Sequence, residues 1–127
     1  MNFSLLTKSI IPLLLLPLFF GFGCNRDSAP PAPLSVAEFP AVFANAFGKA
    51  KPEIKEVSDQ VVAAVQAQDY PKAFNALQSL VGRAGLTKEQ SSVTGRALLT
   101  VNNLLQEAQA KGDAKAAEAV KIYRSTK

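Results

Sequence analysis

The sequence predicts an all-α fold, a small antiparallel array of about four to five helices that follows an apolar leader and a proline-rich linker. Three observations predict it. Apolar residues after Ser35 recur at spacings of three and four, which gathers them on one face of a helix. No stretch alternates apolar and polar residues for long enough to make a convincing strand. Turn and capping signals return about every 12 to 25 residues, as expected of helices joined by short connections.

The first helix opens at Ser35-Val36-Ala37-Glu38, a capping box in which hydroxyl and carboxylate satisfy free amides. Phe39, Val42, Phe43, Ala46 and Phe47 then share one face, and Gly48 to Lys51 ends the element. Pro40 has to lie in the first turn or start the helix itself. Pro52 suits the first position of a second helix, with Glu53 and Glu56 where the helix dipole favours anions. Its buried stripe is Ile54, Val57, Val61, Ala64 and Val65.

A break at Gln68-Asp69-Tyr70 precedes Pro71, again suited to a first helical position. The third helix presents Ala73, Phe74, Leu77, Leu80 and Val81, and Gly85 is placed to cap its end. Thr87-Lys88-Glu89-Gln90 is a second capping box, and it opens the longest helix, to about Lys111. The stripe there is Val93, Ala97, Val101, Leu104 and Ala108, widened by Leu98 and Leu105. Gly95 costs this helix about 1 kcal/mol relative to alanine. Either another helix passes close to it, or the first turns are loosely held. Gly112 stops the helix and Asp113 caps a short last one, built on Ala116, Ala119, Val120 and Tyr123.

The leader is a different kind of sequence. Ile10 to Cys24 is an apolar run of signal-core length, short of the roughly 20 residues that span a bilayer comfortably. Lys8 supplies the charge ahead of it, Pro12 and Pro17 interrupt any long helix, and Gly21 and Gly23 place small residues before Cys24. Phe20-Gly21-Phe22-Gly23-Cys24 resembles the lipobox of bacterial lipoproteins. That resemblance implies cleavage between Gly23 and Cys24, diacylglycerol on the Cys24 thiol and an acylated new amino terminus. Gly21 and Phe22 depart from the family, which usually has Leu and a small residue at those places. An ordinary cleaved signal or an uncleaved anchor starting near Leu5 are the alternatives, and both keep the remainder outside the cytoplasm.

Asn25 to Pro33 is polar or small with three prolines, the composition of an extended tether about 30 Å long. The chain thus divides into a signal peptide over 1–23, a lipidated cysteine and tether over 24–34, and a helical domain over 35–127. By its resemblance to enterobacterial lipoproteins, Asn25 rather than Asp after the cysteine points weakly away from inner-membrane retention.

Composition bounds what the domain can do. The 127 residues carry a formal charge of +4, one cysteine and no histidine or tryptophan. One small domain fits this length, a lone cysteine excludes an internal disulfide, and stability must come from apolar packing. Without Lys8 the 14 basic residues become 13 against 10 acidic ones, with no basic block of the kind that binds nucleic acid.

Ala67-Gln68-Asp69-Tyr70-Pro71-Lys72-Ala73-Phe74-Asn75-Ala76-Leu77 resembles the turn and second-helix start of a tetratricopeptide repeat. The resemblance makes Ala64, Ala67, Tyr70, Ala73 and Leu77 packing residues of a helical hairpin. Lys111-Gly112-Asp113 repeats the turn more faintly, 44 residues later, where that family's period is 34. The family's bulky start residue is only Val57 and its closing proline is missing. A repeat-like helical hairpin outside the family accounts for the same residues.

No nucleophile has a histidine base, Glu53, Glu56 and Asp59 gather at a helix start, and metal ligands of the His and Cys type are lacking. The expectation is therefore no catalysis, no cofactor and no metal. Phe39, Phe43 and Phe47 suit a core; unclaimed by it, they form a sticky face for a partner helix, a second copy or a membrane. Lys111, Lys115, Lys121, Arg124 and Lys127 read as a solvated face able to touch anionic lipid weakly. The expected protein is a small envelope lipoprotein facing the periplasm, held by lipid on Cys24, whose helical domain binds or scaffolds an envelope protein. The alternatives are a self-associating structural protein using the three phenylalanines and a helical domain without lipid.

Overall fold

The computed structural model describes residues 29–126. Among them it forms α1 (Phe39–Phe47), α2 (Pro52–Gln66), α3 (Tyr70–Val81), α4 (Lys88–Ala110) and α5 (Ala114–Ser125), with no strand. The all-α expectation holds, and so do the capping residues Thr87 and Asp113 and the prolines at the starts of α2 and α3. The signal peptide, its cleavage site and Cys24 lie outside the described residues, as does Lys127.

Short connections make successive helices pack antiparallel, α1 on α2, α2 on α3, α3 on α4 and α4 on α5. Because α1 also packs on α4, helices α1 to α4 close around one core, and α5 is added outside against α4 and α3. Phe39, Phe43 and Phe47 line the inner face of α1 at i, i+4 spacing, their ring centroids 5.5 and 5.3 Å apart. Each is at most 2% exposed, so they are core and not the contact face that their clustering also allowed. A nine-residue helix with few other large side chains has to spend its aromatics on its own attachment.

The capping box of Ser35 and Glu38 is present at the start of the domain, but it stands on a 3-10 turn, Val36–Glu38, and the α-helix begins only at Phe39. Pro40 explains this, since it has no N–H to donate to the Val36 carbonyl, and the chain closes that turn through the Phe39 N–H instead. Glu38 reaches back to Ser35, accepting from its backbone N–H at 2.9 Å and its hydroxyl at 2.7 Å.

The folded part also starts earlier than Ser35. Leu34 is 3% exposed and belongs to the core, and the Thr100 hydroxyl donates to its carbonyl at 2.6 Å. Arg96 Nε donates to the Ala32 carbonyl at 2.7 Å, so the end of the expected tether lies against α4. Near the other end of α1, the buried Gln90 donates from Nε2 to the Ala46 carbonyl at 3.0 Å while its Oε1 accepts from the Thr87 N–H. Three polar side chains of α4 thus fasten α1 and its lead-in segment along their length.

The turns after α2 and α4 share one construction. Asp69 N–H donates to the Ala64 carbonyl and Gln68 N–H to Val65; Asp113 N–H donates to Ala108 and Gly112 N–H to Gln109. These are paired Schellman bonds, and each aspartate then caps the next helix, accepting from Lys72 N–H at 3.2 Å and Ala116 N–H at 3.0 Å. The left-handed residue is glycine in one turn, Gly112 at φ 90°, but Gln68 at φ 57° in the other.

Several stripe positions shift. Val81 is 54% exposed, because it follows the buried Leu80 and points about 100° around the helix from it. Leu105 is buried where Leu104 is only half-buried, since the α4 stripe turns toward α5 at its end. α3 stops at Val81 with Gly82 as its cap, and Gly85, at φ 89°, sits in the following connection instead of ending the helix.

Candidate functional site

The candidate site is the outer side of the second hairpin, between α3 and α5. α5 buries only Ala116 and Val120 and half-buries Ala119 and Tyr123, so one of its flanks stays uncovered. That flank and the facing residues of α3 form an open groove of about 730 Å³. Its floor is the edge-to-face pair of Phe74 and Tyr123, with ring centroids 5.1 Å apart at 82°. Ile122 stands on its wall, 55% exposed, a large apolar side chain without a covering neighbour. Asn75 and Gln78 on α3 and Lys115 and Glu118 on α5 supply polar rims on both sides.

This arrangement can hold an apolar side chain or a short helix from another protein. The Phe74–Tyr123 floor offers flat hydrophobic area, while the amides and charges at the rims fix the direction of an incoming backbone. On the inner side of α5 a smaller hollow of about 120 Å³ lies among Leu105, Val120 and Tyr123, too small for more than a few atoms.

The residues singled out by the repeat-like motif fall into two groups. Ala73 and Leu77 are fully buried and Ala64 nearly so, packing α2 on α3. Tyr70 is half-buried, whereas Ala67 is exposed at the C-cap of α2 and packs against nothing in the core, a correction to its expected role. Gly23 and Cys24 lie outside the described residues, so the lipid-attachment site has no geometry to report.

Nothing in the charged residues builds a second site. Glu53, Glu56 and Asp59 are exposed on α2, and Asp59 pairs with Lys55 at 2.7 Å across one turn. Among the described residues no three His, Cys, Asp or Glu side chains converge. The Ser35 hydrogen bonds hold the Glu38 carboxyl below its ordinary range, which makes it a local clasp at the start of the domain. Among the described residues no helix is long and apolar enough to cross a membrane.

The groove was not foreseen from sequence. Ile122 lies off the Ala116, Ala119, Val120 and Tyr123 stripe, and that misfit was the available signal. No family model, curated protein or solved structure matches this chain.

Proposed function

We propose that the protein is a bacterial envelope lipoprotein, held by lipid on Cys24 and facing the periplasm, whose helical domain binds a partner protein through the groove between α3 and α5. One observation supports the binding half of this reading: Ile122 stands exposed beside the Phe74–Tyr123 floor. Val36, Val81, Leu99 and Ile122 are the large apolar side chains exposed among the described residues, and Ile122 is the one that lines this groove, where an interface can use it as an anchor. The lipid half is supported by the order of residues from Lys8 to Cys24. A tethered domain of this kind works by effective concentration, since confinement to a membrane plane raises its encounter rate with neighbours.

Self-association through Phe39, Phe43 and Phe47 is set aside, because those side chains are already used inside the domain. Two measurements test the remaining reading. Intact mass of the protein recovered from bacterial membranes should correspond to a chain starting at Cys24 plus lipid, and Cys24→Ser should abolish the lipid mass. A photo-crosslinking residue at position 122 should give a discrete protein adduct in cells that the same residue at position 56, on the outer face of α2, does not. Equal adducts at both positions would remove the groove from the proposal.

A further inference from the structure

The hydrogen bonds that fasten the lead-in segment also set the direction in which it leaves the domain. The Leu34 carbonyl is held by Thr100 and the Ala32 carbonyl by Arg96, one helical turn nearer the start of α4. α1 runs antiparallel to α4, with Ala46 held by Gln90. Traced toward the amino terminus, the chain therefore passes along α1 away from the start of α4, turns at Val36–Glu38, and heads back toward that start.

The end it heads for is where α1 and α3 finish and α2 and α4 begin. Its two connections, 48–51 and 82–87, are neighbours, since Gly48 and Lys49 share one shallow hollow with Thr87 and Glu89. They contain Lys49, Lys51 and Arg83 and no carboxylate, and Lys88 follows directly; Glu53 and Glu89 lie in the first turns of α2 and α4. The connections at the opposite end, 67–69 and 111–113, contain Asp69, Asp113 and Lys111, and the adjoining helix turns add Lys72, Lys115 and Glu107, so that end balances its charges while the basic end keeps an excess of two. Lys49, Lys51 and Lys88 are exposed and Arg83 is half-exposed, and among the described residues none of the four forms an ion pair.

We infer that this basic end is a docking surface for anionic phospholipid headgroups and faces the membrane when the chain is anchored at Cys24, an inference that rests on the lipid anchor proposed above. Covalent reach favours the same end. The eight residues from Ala32 back to Cys24 span at most about 28 Å. Along α4, Arg96 is about 12 Å from Lys88 and about 21 Å from Ala110. Lowering the basic end onto the bilayer uses under half of the available reach. Lowering the other end takes about three quarters of it and reverses the path set by Thr100 and Arg96. Charge attraction to a bilayer acts over about 8 Å at physiological salt, so only the face drawn down by the tether contributes. α5 begins at the opposite end, so the Lys115 end of its groove lies farther from the lipid.

The test uses the full lipidated protein, reconstituted into vesicles of phosphatidylcholine with and without phosphatidylglycerol. Lipidation consumes the native thiol, so a fluorophore can be placed on Ala84→Cys at the basic end or on Ala110→Cys at the other. Nitroxide on the lipid headgroups should quench the first reporter severalfold more than the second in vesicles containing phosphatidylglycerol, and the contrast should weaken in phosphatidylcholine alone. Lys49→Glu, Lys51→Glu and Arg83→Glu together should abolish it; the change of lipid gives the same reading on an unaltered surface. Equal quenching of the two reporters on protein that floats with the vesicles overturns the orientation and leaves the anchor standing. Protein that does not float overturns both.

Discussion

The hairpins α2–α3 and α4–α5 are turned by the same device and buried to different depths. Each turn pairs Schellman bonds with an aspartate that caps the next helix, and the hydrogen bonds match one for one. Yet α3 buries Ala73, Phe74, Ala76, Leu77 and Leu80, whereas α5, of the same length, buries only Ala116 and Val120. Turn chemistry fixes the path of a hairpin, but neighbours decide how much of it leaves water. α1 and α4 enclose the first hairpin, while among the described residues nothing covers the far side of the second, and the candidate site is the surface left over.

The contrast breaks most visibly in the core. Phe43→Ala should destabilise the domain by about 3–5 kcal/mol and Leu77→Ala by about 2–5 kcal/mol, whereas Val120→Ala on α5 should cost only about 1–2 kcal/mol for its two methyl groups. Urea unfolding at constant m-value reads all three. A Val120→Ala loss as large as that of Leu77→Ala would show α5 to be integral to the core. Hydrogen exchange gives a second view, in which α5 amides should exchange by local opening well before those of α3.

The two turns can be exchanged residue for residue. Gln68 holds a left-handed conformation at φ 57° that costs a side-chain-bearing residue about 1 kcal/mol, whereas Gly112 holds φ 90° without that penalty. Gln68→Gly should therefore raise stability by about 0.5–1 kcal/mol and Gly112→Gln should lower it by about 1 kcal/mol or more. Thermal midpoints moving the same way in both variants would mean that the turns are not equivalent after all.

Gly95 gives a similar-sized effect without any turn. A Cβ built there meets nothing within 4 Å, so no other helix needs the space, and Gly95→Ala should stabilise α4 by about 0.8–1 kcal/mol. The smallest effect concerns the clasp at the start of α1. The Ser35 bonds lower the Glu38 pKa on folding, so its contribution is present above the unfolded value and is lost as pH falls through the folded one. Glu38→Gln should unfold slightly earlier than the unaltered protein near neutral pH, and the gap should close in acid. A gap that widens in acid would reverse the assignment.

Much of the fold was legible because its signals are local. Prolines at helix starts, Thr87 and Asp113 as caps, and Gly112 after α4 each act within a few residues, so spacing along the chain reveals them. Positions that depend on neighbours were less legible. Val81 looked like part of a buried stripe and is exposed, Ala67 looked like a packing residue and is a solvent-facing cap, and the three phenylalanines suited a core first but left a contact face open. Gln90 was legible as part of a capping box but its bond to Ala46 was not, and nothing local marks Arg96 or Thr100; the bonds of the three to Ala46, Ala32 and Leu34 connect residues 44, 64 and 66 positions apart.

The sequence by itself determined the helices and most of their turns, since capping, propensity and short motifs are properties of adjacent residues. Only the tertiary structure decided which apolar faces were spent on the core and which stayed exposed, because burial depends on what the remote parts of the chain bring alongside. It likewise decided that the lead-in segment heads back along α4 toward the start of that helix, a direction set by two long-range hydrogen bonds that no local pattern contains.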